Sequence, residues 1–267
     1  MHEPVDYARA SGSEIRALCR RGEFDRPTAG VAFGYVQANL VVVREGVARD
    51  FEQFCRANPR PCPLIESLAP GSFETIVTAH GADLRTDLPR YRVYRDGRAG
   101  ERPKDIVPLW QQAEADGLGR FTAFLIGCSF TFESALLAAG LPVRHIEAGC
   151  NVPMYRTNID CARAGVFEGP LVVSMRPMAR SQAEQAAHIT STLPHAHGAP
   201  VHIGDPAAIG IHDLSRPDYG EAVEIRPDEV PVFWACGVTP AEAIIRARLD
   251  LAVTHDPGHM FITDLRE

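Results

Sequence analysis

Two arginines carry the first chemical signal in this chain. Arg156 lies in NVPMYRTN and Arg176 in GPLVVSMRP, and both runs read as loop from their Gly, Pro, Asn and Ser content. A guanidinium is permanently charged and presents a planar fork that fits a carboxylate. Two such forks predict a site for a small acidic molecule, with Tyr155 and Asn158 beside Arg156 to orient fork or ligand. The structural alternative is a pair of ion bridges that stitch loops together.

HGAPVHIGDP places His197, His202 and Asp205 within nine residues. They suit substrate contact or proton exchange. Metal ligation would need a further ligand from elsewhere, His195 being nearby, and turn-making is the structural alternative. THDPGHMF adds His255 and His259. The Asp-Pro-Gly between them forbids the helix that a metal-binding pair at this spacing would use. They read as loop histidines able to move protons near neutral pH, His259 with closer access beside Gly258. Cys128 and Cys236 end apolar runs just ahead of helical ones. A helix N-terminus there would favour a nucleophilic thiolate, although cysteine is also a common core residue. Glu133 falls in the first helical turn after CSFT, either as a general base or as a stabiliser of its own helix.

The elements that must position these residues follow from periodicity. YVQANLVVV, FTAFLIG, GPLVVSMRP and VPVFWAC read as strands, and ETIVTA and LPVRHI as shorter ones. Residues 5–22, ARDFEQFCRAN, the run from IVPLWQQ, FESALLAAG, SQAEQAAHITSTL and PAEAIIRARL read as helices. RYRVYRDGRAG is a hairpin with an Asp-Gly turn. Strand, Cys and Gly, helical Glu, then His recurs around Cys128 and Cys236, which suggests a duplicated unit. Alternating strands and helices give an α/β class with a mixed-sheet core, and ligands collect beyond strand ends in such folds.

The 267-residue chain has ordinary composition and a formal charge of -7, which argues against nucleic-acid binding. Its one lysine, Lys104, leaves little basis for Schiff-base chemistry. There is no membrane-length apolar run and no signal-peptide pattern. Seven cysteines without a C-x-x-C pair read as reduced thiols of a cytoplasmic protein. No phosphate-loop or dinucleotide glycine fingerprint is present, so no organic cofactor is expected. No metal is assigned, the partner is a small carboxylate, and homo-oligomer formation is left open.

GCSFTFE at 127–133, NVPMYRTN at 151–158, GPLVVSMRP at 169–177, HGAPVHIGDP at 197–206, FWACGVTP at 233–240 and THDPGHMFITDLR at 254–266 together resemble the D-glutamate cyclase family. FCRANPRPCPLIE at 54–66 and GADLRTDLPRYRVYRDG at 81–97 match as well. Phe33 and Cys150 depart from the family pattern. The resemblance implies a two-part protein: a larger α/β domain over 1–112 and 205–267, and a smaller α+β domain over 113–204. It also implies a hydro-lyase, in the named case closing D-glutamate to 5-oxo-D-proline. In that reaction Arg156 and Arg176 would hold carboxylates, and His259 or His255 with Glu133 or Asp205 would move protons. Backbone N–H groups after Cys128 or Gly237 would stabilise the oxyanion. Two alternatives stand beside it, a non-catalytic binder of small acids and a metal-dependent hydrolase of a cyclic amide.

Overall fold

This computed structural model describes residues 6–266. In chain order its helices are α1 (Gly12–Arg20), α2 (Glu45–Ala57), α3 (Val107–Ala115), α4 (Phe130–Ala138), α5 (Arg144–Ala148), α6 (Arg180–Ser191) and α7 (Thr239–Ala247). The strands are β1 (Tyr35–Arg44), β2 (Leu64–Ser67), β3 (Tyr91–Arg95), β4 (Arg98–Ala99), β5 (Phe121–Gly127), β6 (Met154–Asp160), β7 (Pro170–Ala179), β8 (His202–Ile203), β9 (Glu229–Ala235), β10 (Ala252–His255) and β11 (Phe261–Arg266). They form an α/β protein with two sheets. One has the order β2-β5-β1-β10-β3-β4, with β11 also on β1; the other runs β6-β7-β9-β8. Every described strand pair is antiparallel, where the sequence suggested mixed directions. Sheet membership also crosses the expected boundaries. β5 joins the first sheet, by seven paired residues on β1, and β9 joins the second, by seven on β7.

Strand β1 organises the first sheet. Ala38, Leu40 and Val42 face a core that includes Trp110 of α3. Val41 and Val43 face the opposite core, with Phe51 and Phe54 of α2. Successive side chains of a strand alternate faces, so Gln37 and Asn39 share that second side. One edge of β1 is divided between two partners: β10 takes Val41–Val43 and β11 takes Tyr35–Ala38. The loop carrying His259 lies between those two partners. Helix α2 buries Ala48, Phe51, Phe54 and Cys55, an i, i+3, i+6, i+7 stripe, and Asn58 ends it ahead of Pro59.

Two expected strands are absent. ETIVTA is a turn; Glu66 accepts N–H bonds from Ile76, Val77 and Thr78, and the apolar side chains of Ile76 and Val77 point out at 76% and 62% exposure. Capping by the Glu66 carboxylate, from an earlier part of the chain, outweighs β-propensity there. LPVRHI contains α5, closed by Gly149 at φ 66°. The Asp-Gly hairpin is as expected, with φ 50° at Asp96 and 71° at Gly97. A Cβ on Gly97 would lie 2.4 Å from the Ile245 carbonyl oxygen of α7. Gly97→Ala is therefore expected to cost about 1–3 kcal/mol, read as a lower denaturant midpoint; an unchanged midpoint would show the turn can shift. Among the described residues no helix is long and apolar enough to cross a membrane.

Candidate active site

Strands β5 and β9 each end in a cysteine that leads into a helix, Cys128 into α4 and Cys236 into α7. The two junctions meet at Asn39. Its Nδ2 donates to Ile126 O (3.3 Å) and Gly127 O (2.7 Å), and a Cβ on Gly237 would lie 2.1 Å from the same nitrogen. Gly237 thus has to be glycine for the second junction to close. An apolar cluster fills the meeting point, with Cys128, Phe130, Met154, Val172, Cys236 and Met260.

Both helices carry a glutamate in the first turn, and each glutamate meets an arginine from the second sheet. Glu133 of α4 pairs with Arg176 of β7. Glu242 of α7 pairs with Arg156 of β6 (2.6 Å). The recurrence seen in the sequence thus has a spatial counterpart.

Both arginines lie on strands, Arg176 on one that periodicity also indicated and Arg156 on one that it did not. Arg156 sits opposite Val172, four residues from Arg176 along β7, on the same face and about 13 Å away along the strand. Arg176 is fully buried and its fork is filled. Nε and Nη2 reach Oε1 of Glu133, Nη1 donates to Ser174 Oγ (3.0 Å) and Nη2 to Ser129 Oγ (3.1 Å). The expectation that Arg176 clamps a substrate carboxylate is corrected: its charge is spent inside the protein. Phe132 and Trp234 flank the guanidinium at 4.8 and 5.4 Å. Arg156 keeps 42% of its side chain exposed. Its Nη1 donates to Asp218 (2.5 Å), and its Nη2 to Tyr219 Oη (3.0 Å) and Glu242. A hollow of about 320 Å³ flanks it on the side of Tyr155 and Ile211, away from the junction, walled also by His212, Asp213 and Arg216.

Glu133 is the most constrained group. Burial pushes its carboxyl upward, yet His145 and Arg176 outweigh burial and hold it below the usual 4.5. His145 Nε2 lies 3.2 Å from Oε1, within ion-pair reach but without a formed hydrogen bond. The other oxygen, Oε2, is buried without a partner, as are His197 Nε2, Gln37 Oε1 and Asn151 Oδ1. Buried acceptors left open in this way are uncommon and mark places where a donor is accommodated.

The histidines divide by position. Nδ1 of His259 lies 3.0 Å from Pro257 O. A carbonyl only accepts, so Nδ1 carries the proton and the neutral ring keeps a lone pair on Nε2. Burial lowers the His259 value, against the Pro257 contact and Asp256 that raise it. Gly258 beside it packs on Asn151, so this loop borders the junction. His255 is buried, bonded through Nδ1 to Leu40 O (3.3 Å), and burial brings it down to about 4. That is a structural histidine, not a proton shuttle. His197 hangs on Arg60 O (2.7 Å), is likewise lowered by burial to about 4, and senses the charge of Arg176. His202 bonds Asp205 O (2.6 Å) and packs on Phe233, Asp205 caps Ala207, Tyr155 donates to Leu214 O (2.7 Å) and Asn158 packs on Gly210. Phe233, Tyr155 and Ile209 share a cluster on the far face of the second sheet. Tyr155, next to Arg156 on β6, and His202, opposite Phe233, thus face away from the junction, because neighbouring strand residues face opposite ways, while Asp205 and Asn158 are engaged by Ala207 and Gly210.

The cysteines are corrected as well. Burial raises Cys128 far above the ordinary thiol value and Cys236 to about 11. The Phe130 and Val238 N–H groups face those sulfurs, which occupies donors expected for an oxyanion. A buried neutral thiol is a poor nucleophile. Cys128→Ala is expected to keep turnover within a few-fold of the parent; loss of activity with normal folding would restore the thiol. Among the described residues no group of three or more His, Cys, Asp or Glu side chains is gathered to hold a metal.

Sequence reasoning missed His145, Ser129, Ser174, Gln37, Asn39, Tyr219 and Glu242. A usable signal was present. Gln37 and Asn39, and Ser174 and Arg176, are polar residues two apart in otherwise apolar strands.

Comparison with known proteins fixes the family. The D-glutamate cyclase family model matches residues 122–264, which contain both junctions. A protein from Stutzerimonas stutzeri is 57% identical over 261 residues, 98% of this chain and 96% of its own length. The chain belongs to the D-glutamate cyclase family. A second family member, from Geobacillus kaustophilus, is 55% identical over 96% of this chain and 95% of its own. Both carry the name Putative hydro-lyase, which with the family match places this member among the lyases. A crystal structure of a nitrogen repressor-like protein from Methanococcus jannaschii covers 97% of this chain and 98% of its own, at TM-score 0.37 and 10% identity. A likeness that weak adds nothing on fold or function.

Proposed function

We propose that the chain removes water from a small carboxylate at the junction of α4 and α7, with D-glutamate closing to 5-oxo-D-proline as the reaction that the family description suggests. The observation that carries this reading is Glu133: one oxygen is fixed by Arg176 with His145 beside it, and the other is buried and open. A carboxylate so held is a base aimed at a donor.

Ring closure moves two protons off the substrate nitrogen and two onto the departing oxygen. In this scheme Glu133 Oε2 accepts the first proton from nitrogen and passes it to the side-chain carboxylate oxygen, which then leaves as a hydroxyl. The nitrogen then attacks the side-chain carboxyl carbon, and the carbon–oxygen bond of the leaving hydroxyl breaks. Nε2 of His259, at the border of the junction, takes and returns the second proton. Arg156 supplies the carboxylate contact, exchanging Asp218 or Glu242 for the ligand. Arg176 fixes the base and does not touch substrate.

The test is incubation of purified protein with D-glutamate, L-glutamate, 5-oxoproline and simple hydroxy acids, read by mass spectrometry as loss or gain of water. Conversion of D-glutamate to the cyclic amide is expected. Binding of an acid with no conversion would leave a non-catalytic binder, and no response to any acid would overturn the reading.

A further inference from the structure

We propose that His145 is a positioning residue for this reaction: with Arg176 it holds Oε1 of Glu133 and so reserves Oε2 to accept the proton. The inference rests on the reading above, in which Glu133 is the base.

His145 is buried, and its Nε2 lies 3.2 Å from Oε1, within ion-pair reach but without a formed hydrogen bond in the resting protein, where catalytic contacts are often unaligned until substrate binds. A carboxylate only accepts, so the imidazole must present an N–H to hold that oxygen. The ring is fixed from several sides. It stacks on Phe130 at 6.3 Å and 25°. Its carbonyl accepts the Cys150 N–H (3.0 Å). The neighbouring Arg144 anchors α5 to Glu224 O (3.0 Å) and to Glu229 (2.5 Å). Such anchoring belongs to a group whose orientation matters, because a carboxylate held through one oxygen by two elements keeps its other oxygen in one direction.

Arg176 alone would leave Glu133 free to turn about Oε1. His145 approaches from α5 and Arg176 from β7, and together they define the direction of Oε2. The other titratable or charged groups around Glu133 are Cys128 and Cys236 at the strand ends and His197 near Arg176. Burial keeps both thiols and His197 uncharged near neutral pH, so none of them replaces His145. Removing the histidine takes away a group that lowers the Glu133 carboxyl, so its protonation moves to higher pH.

The experiment is the pH profile of kcat/KM, with whichever acid the wild type converts, for His145→Gln and His145→Phe. Glutamine can donate from nearly the same place, while phenylalanine keeps the stack on Phe130 and cannot donate. H145Q is expected within a few-fold of the wild type with its acid limb unmoved. H145F is expected to lose about ten- to a hundredfold, the worth of one hydrogen bond to a charged group, with its acid limb shifted to higher pH. Thermal unfolding checks that H145F folds; if it does not, His145→Asn, polar but too short to reach Glu133, takes its place. Equal losses in both variants, or an unmoved limb in the non-donating one, would overturn the role of His145 while the parent reaction stands. A wild type that converts no acid removes the parent reading and this inference together.

Discussion

Replacing Arg176 with methionine is expected to lower the free energy of unfolding by about 3–5 kcal/mol, the cost of leaving a buried charge without its partner. The side chain is fully enclosed, and four hydrogen bonds tie it to Glu133, Ser129 and Ser174. Methionine fills much of the volume between Phe132 and Trp234, so the loss comes from Glu133 and not from a cavity. Two controls separate those causes. Adding Glu133→Leu to Arg176→Met removes the stranded charge and is expected to recover most of the stability, since apolar pairs often replace buried ion pairs at little cost. The gap between wild type and R176M also has a sign in pH. Glu133 lies below its ordinary 4.5 in the folded protein, so the pair contributes fully above that value and its contribution fades as pH falls through the folded value. The gap is therefore widest near neutrality and narrows in acid. A single variant as stable as the wild type at pH 7 would show that the pair is not charged.

Glu133→Gln is expected to reduce turnover by about a hundredfold to ten-thousandfold, the range associated with a positioned acid or base. The amide retains shape and can still accept from Arg176 through its oxygen, but it leaves the buried guanidinium without its counter-charge, so Glu133→Gln is expected to lose stability as well, and turnover is compared at a temperature where thermal unfolding shows the variant folded. Substrate binding should survive, with the loss in kcat and not in KM, because Arg156 supplies the carboxylate contact in this scheme. Glu133→Gln at full activity would move the base elsewhere, with His259 the next group to replace. Combined with the double variant R176M/E133L, the pair of experiments asks separately whether Glu133 is needed for the fold and for the chemistry.

The strands were legible where apolar runs were long. β1, β5, β7 and β9 lie where periodicity placed them, as do α2, α4, α6 and α7. The misreadings share a cause: a contact distant in sequence overruled a short local preference. Glu66 bends ETIVTA into a turn, and the ties of Arg144 to Glu224 and Glu229 accompany a helix in LPVRHI. The site was half visible. Glu133, Arg176 and the strand-end cysteines were recognised by type and setting, but Arg176 was read as a ligand clamp because sequence does not reveal that Glu133 stands opposite it. His145 looked like the tail of a strand, and its meeting with Glu133 exists only in three dimensions. Tyr155, Asn158, His202 and Asp205 were neighbours of the right residues along the chain; the alternation of β6 turns Tyr155, and the register of β8 on β9 turns His202, to the other side of the sheet, while Asn158 and Asp205 are taken up by contacts with Gly210 and Ala207.

Asn39 grips the turn after β5 and presses on the turn after β9 with one amide. The two halves of the repeat are consequently not interchangeable modules. A fragment carrying either turn alone would lack its latch, and a graft of one turn into another scaffold would have to bring the middle of β1 with it. Engineers seeking to alter this enzyme have less freedom in the glycine after Cys236 than in the exposed arginine at the rim, since the former is wedged against that shared amide and the latter already faces water.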